Sequence, residues 1–113
     1  MWIVTLAFLI AIFLLMLIIT VKVFQVKPVP HQKTPASKNI YFEEVKIPTK
    51  NKLALYGWWI PNPVKSNVPI IILVHGWKRN LERMMPYIEN LHESFNLLAF
   101  DARCHGSSDK DSY

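Results

Sequence analysis

The stretch Ile70-Ile71-Ile72-Leu73-Val74-His75-Gly76-Trp77-Lys78-Arg79-Asn80 decides how this chain is read. Its first five residues are all apolar and mostly β-branched. Continuous apolarity predicts a strand covered on both faces, as in a parallel sheet, because a half-exposed strand would alternate. A polar, glycine-containing loop follows, and Asn80 is a suitable N-cap for the next helix. Met84, Ile88, Leu91 and Phe95 then recur at helical spacing and predict the face that packs on the sheet. Pro86 is poorly tolerated inside a helix, so the main helix is expected to begin there, after a looser first turn. Asn96 to Phe100 form a second short apolar strand, ending at Asp101. Strand, helix and strand with short connections make a βαβ unit. In open parallel sheets ligands lie beyond the carboxyl ends of the strands. Residues 75–78 and 101–108 occupy those ends, and both loops are polar and contain glycine.

Working outward, residues 40–47 suit a strand, with Val45 and Ile47 alternating with Glu44 and Lys46. A polar turn, Thr49-Lys50-Asn51-Lys52, leads into a second strand over 53–60, where Leu53, Leu55 and Trp59 share one face. Together they predict an antiparallel hairpin, which Pro61-Asn62-Pro63 ends. Residues 22–38 hold Pro28, Pro30 and Pro35 among Lys, Gln, Ser and Thr, the composition of an extended, semi-rigid linker.

Residues 2–21 carry no charge, and only Thr5 and Thr20 among them are polar. About 20 apolar residues in a helix rise about 30 Å, the thickness of a bilayer's hydrocarbon core. A helix satisfies its own backbone polar groups where there is no water. A cleaved signal peptide would carry a basic n-region and a small-residue cleavage site. Here no Lys or Arg precedes Lys22, and Val21-Lys22-Val23-Phe24 offers no such site. A core helix apolar on every face is too long for so small a domain. The reading is a single membrane span, with the lipid bilayer as its partner. Lys22, Lys27, Lys33 and Lys38 follow the span, so the positive-inside rule favours a cytoplasmic C-terminal part.

The formal charge of +5 is spread over scattered lysines, several just after the span, where they are expected to meet anionic headgroups. No basic cluster is interleaved with aromatics, so no nucleic-acid partner is expected. Cys104 is the only cysteine, which excludes an internal disulfide.

The two loops carry a resemblance. Leu73-Val74-His75-Gly76-Trp77 and Asp101-Ala102-Arg103-Cys104-His105-Gly106-Ser107-Ser108, in that order and separated by one helix and one strand, resemble the α/β-hydrolase family. The bacterial membrane-anchored hydrolases of this fold look most similar. The hairpin with Leu53, Leu55, Gly57 and Trp58 also fits, so the likeness covers residues 39–113. It implies an α/β class: a transmembrane helix at 2–21, a linker at 22–38, and at 39–113 the first strands of an incomplete hydrolase sheet.

In acyl transfer, negative charge builds on the carbonyl oxygen, and preorganised backbone N–H groups stabilise it. Gly76 has no side chain to obstruct a substrate. By resemblance, the Trp77 N–H is one oxyanion donor, and the other belongs to the residue after the nucleophile. His75 then shapes the loop and is not the catalytic base; otherwise His75-Gly76 is simply a turn after a buried strand. Asp101 and Arg103 are expected to organise the second turn, and His105-Gly106 to shape the site wall. Cys104 stands where many relatives have glycine, and a positive φ there would strain it. Asp101, Cys104 and His105 make a poor zinc set, since no second ligand cluster appears. No metal or cofactor is expected. His31 and His92 read as solvated surface groups, Ser107 and Ser108 as turn serines, and Trp58 and Trp59 as packing residues.

No Gly-x-Ser-x-Gly occurs in the sequence. In this fold that elbow follows the next strand, and an acid and a histidine come later. The expectation is a truncated N-terminal portion of a membrane-anchored serine hydrolase of ester or acyl bonds, inactive alone. With an apolar strand edge unpaired, its soluble part is expected to fold poorly by itself. The alternative is a small single-pass membrane protein with a non-catalytic binding role, using the Trp-rich hairpin as its surface.

Overall fold

A computed structural model describes residues 1–111; the last two positions of the expected domain, residues 112 and 113, lie outside the described residues. Helix α1 (Trp2–Phe24) contains the expected span and runs a few residues past it, taking in Lys22. None of its residues is buried, and its length and apolarity suffice to cross a membrane.

Four strands follow: β1 (Glu43–Pro48), β2 (Ala54–Ile60), β3 (Ile70–Val74) and β4 (Asn96–Phe100). They form one mixed sheet in the order β1-β2-β4-β3. The hairpin is antiparallel, β2 runs antiparallel to β4, and β3 lies parallel to β4. The βαβ unit is present: a 3₁₀ turn (Leu81–Met84) and α2 (Met85–Leu91) connect β3 to β4. Asn80 caps this segment, its side-chain oxygen accepting from the Glu82 N–H at 3.0 Å. Pro86 falls in the first turn of α2, where its missing N–H costs nothing.

The packing face differs in detail from the sequence expectation. Leu81, Met85 and Ile88 are buried, while Met84, Leu91 and Phe95 pack at the margin. On β2 the core face carries Trp58 and Ile60, paired across the ladder with Ala99 and Leu97. Leu55 and Trp59 do share a face, but it is the opposite, half-buried one. Alternation assigns residues to two faces; which face a helix covers depends on where the βαβ crossover lands.

Cover on β3 is one-sided. Ile71 and Leu73 are half-buried, whereas Ile70, Ile72 and Val74 are 57%, 59% and 56% exposed. The expected burial of both faces is not met, because α2 packs on one face only and no described helix lies on the other.

The linker is also not the extended spacer its composition suggests. Residues 35–38 form a 3₁₀ turn, with Pro35 buried and Asn39 left-handed at its end. Ahead of it, the Asn80 amide donates to the carbonyls of Val29 (2.9 Å) and Pro30 (3.4 Å), and the Gln32 N–H donates to Glu82 (3.1 Å). These backbone contacts fasten the linker across the start of the β3–α2 segment.

Candidate active site

The carboxyl ends of β3 and β4 lie side by side, since Val74 pairs with Phe100. The two loops that leave them are laced together by two histidines. His75 Nδ1 lies 2.8 Å from the Gly76 carbonyl, which can only accept, so Nδ1 carries the proton. Its Nε2 then accepts the Ala102 N–H, at 3.0 Å, from the other loop. His105 mirrors this arrangement: Nδ1 donates to the Arg103 carbonyl (2.8 Å) and Nε2 accepts the Lys78 N–H (3.0 Å). The two rings sit 5.1 Å apart, and the Trp77 indole lies edge-on to His105 at 5.3 Å. Both ring nitrogens of His75 are thus engaged by backbone.

Each loop holds one strained residue: Lys78 at φ +59° and Cys104 at φ +63°. A side chain in the left-handed region costs about 1 kcal/mol; Lys78 is held by the His105 bond, and Cys104 by contacts within its own loop. The Cys104 backbone donates to Asp109 (3.2 Å), and its Sγ accepts the Asp111 N–H at 3.2 Å.

The first loop turns tightly, with the Arg79 N–H donating to the Gly76 carbonyl at 3.2 Å. Among the described residues, the Trp77 N–H donates to no group. A Cβ built on Gly76 would meet nothing within 4 Å, and its φ is not positive. Neither packing nor conformation inside the described chain therefore calls for glycine at this position. Its effect is to leave the backbone open beside a free donor.

The second loop is organised by Asp101, whose side chain is fully buried. One oxygen accepts the Leu81 N–H at 2.9 Å and the other the Ser107 N–H at 3.0 Å. The Asp101 carbonyl accepts the Ser108 hydroxyl (2.6 Å), and that hydroxyl accepts the Tyr56 N–H (2.8 Å). Gly106 is required here: its φ is +49°, and a Cβ would fall 2.1 Å from an Asp101 carboxylate oxygen. Arg103 contributes differently, pairing with Asp111 at 2.7 Å near the surface.

His31 is the residue that sequence reasoning misplaced. It is not a solvated linker group: its side chain is 10% exposed, and its Nε2 lies 2.8 Å from Asp101 Oδ2. The ring packs on Tyr56 and Trp58 at 5.3 and 5.6 Å. The ring N–H is not aimed along the Asp101 contact as a hydrogen bond requires, so the attraction is that of an ion pair whenever His31 is protonated. No local signal marks His31, because its partners lie some 70 positions away. Beneath it, burial pushes the Tyr56 hydroxyl up to about 12, aided by its 2.7 Å hydrogen bond to Glu44. His92 is half-buried rather than free, with Nδ1 3.1 Å from the Ile88 carbonyl.

Ser107 Oγ lies 3.3 Å from His31 Nδ1, so a serine, a histidine and an aspartate stand in a row. A working triad uses the opposite ring geometry, with Nε2 on the serine and an Nδ1–H aimed at the acid. Asp101 is moreover already bonded to two backbone N–H groups of its own loops. The row is a structural clasp. Among the described residues, no group of three His, Cys, Asp or Glu side chains is placed to hold a metal ion.

The fold can be compared with known structures. An esterase of Pyrococcus furiosus, Pf2001, superposes with a TM-score of 0.66 and 33% sequence identity, covering 79% of this chain and 35% of its own. The chain carries part of an α/β-hydrolase fold. It spans about a third of the length of that esterase. Two more distant structures are also similar to it. One is an α/β hydrolase of Novosphingobium aromaticivorans (21% identity, TM-score 0.54, 64% of this chain and 25% of that one). The other is a membrane phospholipase A described as a bacterial virulence factor (18% identity, TM-score 0.56, 93% of this chain and 33% of that one). No protein-family model matches the chain, and no curated protein matches it.

Proposed function

We propose that this chain forms the N-terminal portion of a membrane-anchored serine hydrolase of ester or acyl bonds, and that Trp77 supplies one oxyanion donor. The observation that carries the reading is the free Trp77 N–H beside the open face of Gly76, at the carboxyl end of β3. In this fold one oxyanion donor comes from an early loop and the other from the residue after the nucleophile. His75 and His105 hold the early loop in place before any substrate arrives, which is what electrostatic preorganisation needs. The esterase at 33% identity supports the reaction class. His105 serves this loop structurally, and Asp101, Arg103 and Gly106 shape the second loop that carries it. Anchoring rests on α1, whose apolar surface is fully uncovered. The nucleophile, acid and base would come from outside these 113 residues. Of the hairpin's two tryptophans Trp58 is fully buried in the core, so a non-catalytic binding surface there would have only the half-buried Trp59 to offer.

The test has two arms. Translation past the Tyr113 codon should yield a strand followed by Gly-x-Ser-x-Gly, then an acid and a histidine. In that longer protein Gly76→Val should lower kcat on a p-nitrophenyl ester by about 10²-fold or more, the usual effect of losing an oxyanion donor. Labelling of the 113-residue chain itself by a fluorophosphonate, at Ser107 or elsewhere, would overturn the assignment.

A further inference from the structure

Two clefts of about 480 and 500 Å³ meet at Val29 and Lys78, between the end of α1 and the start of the β3–α2 segment. Lys22 and Lys27 line one of them, Arg79 and Arg83 line the other, and Lys78 lines both. Among the described residues none of these five cations has a carboxylate within ion-pair distance; the ion pairs formed by lysine and arginine are Lys38–Glu89 and Arg103–Asp111. The one acidic side chain in the clefts, Glu82, is held by the Gln32 N–H. The last turn of the apolar helix therefore shares a basic groove with the loop that carries the free Trp77 N–H. Charges on a partly enclosed surface of one sign concentrate anions. A groove that begins where a membrane helix ends lies at headgroup level.

We propose that this groove binds the anionic phosphate headgroup of a membrane lipid. It would thereby present the ester bonds of a membrane amphiphile to the Gly76–Trp77 loop. The second half rests on the hydrolase reading given above; the binding half does not. Phosphate is the recognised chemistry, and the bilayer is its source, because two of the five cations, Lys22 and Lys27, lie in or just after α1.

The test uses the full chain in a non-ionic detergent, titrated with dioleoylphosphatidylglycerol or dioleoylphosphatidylcholine and read by native mass spectrometry. Phosphatidylglycerol should bind with clear preference. The triple variant Lys78→Gln/Arg79→Gln/Arg83→Gln should bind it about 100-fold more weakly, from about five-fold for each basic group near an anionic lipid. Arg79→Lys/Arg83→Lys should retain binding, and an unchanged far-ultraviolet circular dichroism spectrum and melting profile would verify that each variant is folded. Equal binding of the two lipids, or full binding by the triple variant, would overturn the proposal. So would displacement of phosphatidylglycerol by equimolar inorganic phosphate, which would make the site one for a free anion. No bond is broken in this assay, so its failure is separate from any failure of the hydrolase reading.

Discussion

Asp101→Asn tests whether one buried carboxylate holds the candidate site together. The substitution keeps the volume of a fully buried side chain, so no cavity is created. It removes the charge and one of two acceptor oxygens. Those oxygens serve the Leu81 and Ser107 N–H groups separately, so one donor must face an amide N–H. A hydrogen bond to a charged acceptor contributes about 1.5–3 kcal/mol, and a stranded buried N–H costs about 1–3 kcal/mol. Relief from burying a charge offsets part of this. The net loss should be about 3 kcal/mol, most of the roughly 4 kcal/mol at the low end of the range for about 75 residues, where a sheet with one uncovered face belongs. With a urea slope of about 1–2 kcal/mol per molar, the unfolding midpoint should fall by about 1.5–3 M. Tryptophan emission, in a mild detergent, reports the transition, because unfolding exposes the buried Trp58. Amide hydrogen exchange should show Leu81 and Ser107 losing protection first. A midpoint shift under about 0.5 M, with both amides still protected, would refute the reasoning.

Three further outcomes follow from the same geometry. Gly106→Ala, which drives a Cβ into the Asp101 carboxylate at positive φ, should destabilise by at least 2–3 kcal/mol, whereas Gly76→Ala should leave thermal stability within about 0.5 kcal/mol; equal losses in melting experiments would contradict the contrast. Because the Tyr56 hydroxyl is raised to about 12, the unfolded chain loses its proton first, near 10. The stability it contributes is therefore whole below pH 10 and is lost as pH rises toward 12. Tyr56→Phe should flatten that part of the stability profile, and identical slopes in the two proteins would count against it. Finally, the exposed side chains of β3 and its edge should make the 113-residue chain prone to self-association; Ile72→Lys should reduce light scattering at equal concentration, and unchanged scattering would discount β3 as the cause.

Some of this protein is set by its sequence locally. The apolar run of α1, the five-residue strands β3 and β4, the Asn80 cap and the place of Pro86 depend on short-range rules of burial, capping and proline geometry. So does the position of the two loops, because a βαβ unit fixes where strand ends lie. The strain suspected at Cys104 was legible as well, and its φ is positive. Other features needed the tertiary structure. Period-two alternation names two faces of β2, but only the packing of α2 makes Trp58 and Ile60 the core. Linker composition suggested an extended spacer, because proline-rich segments lack local contacts. What ties residues 29–32 down are donors and acceptors on Asn80, Glu82 and Asp101, far along the chain. His31 was opaque for the same reason. A histidine's role follows from what stands beside it, and its neighbour Asp101 arrives only when β4 joins the sheet.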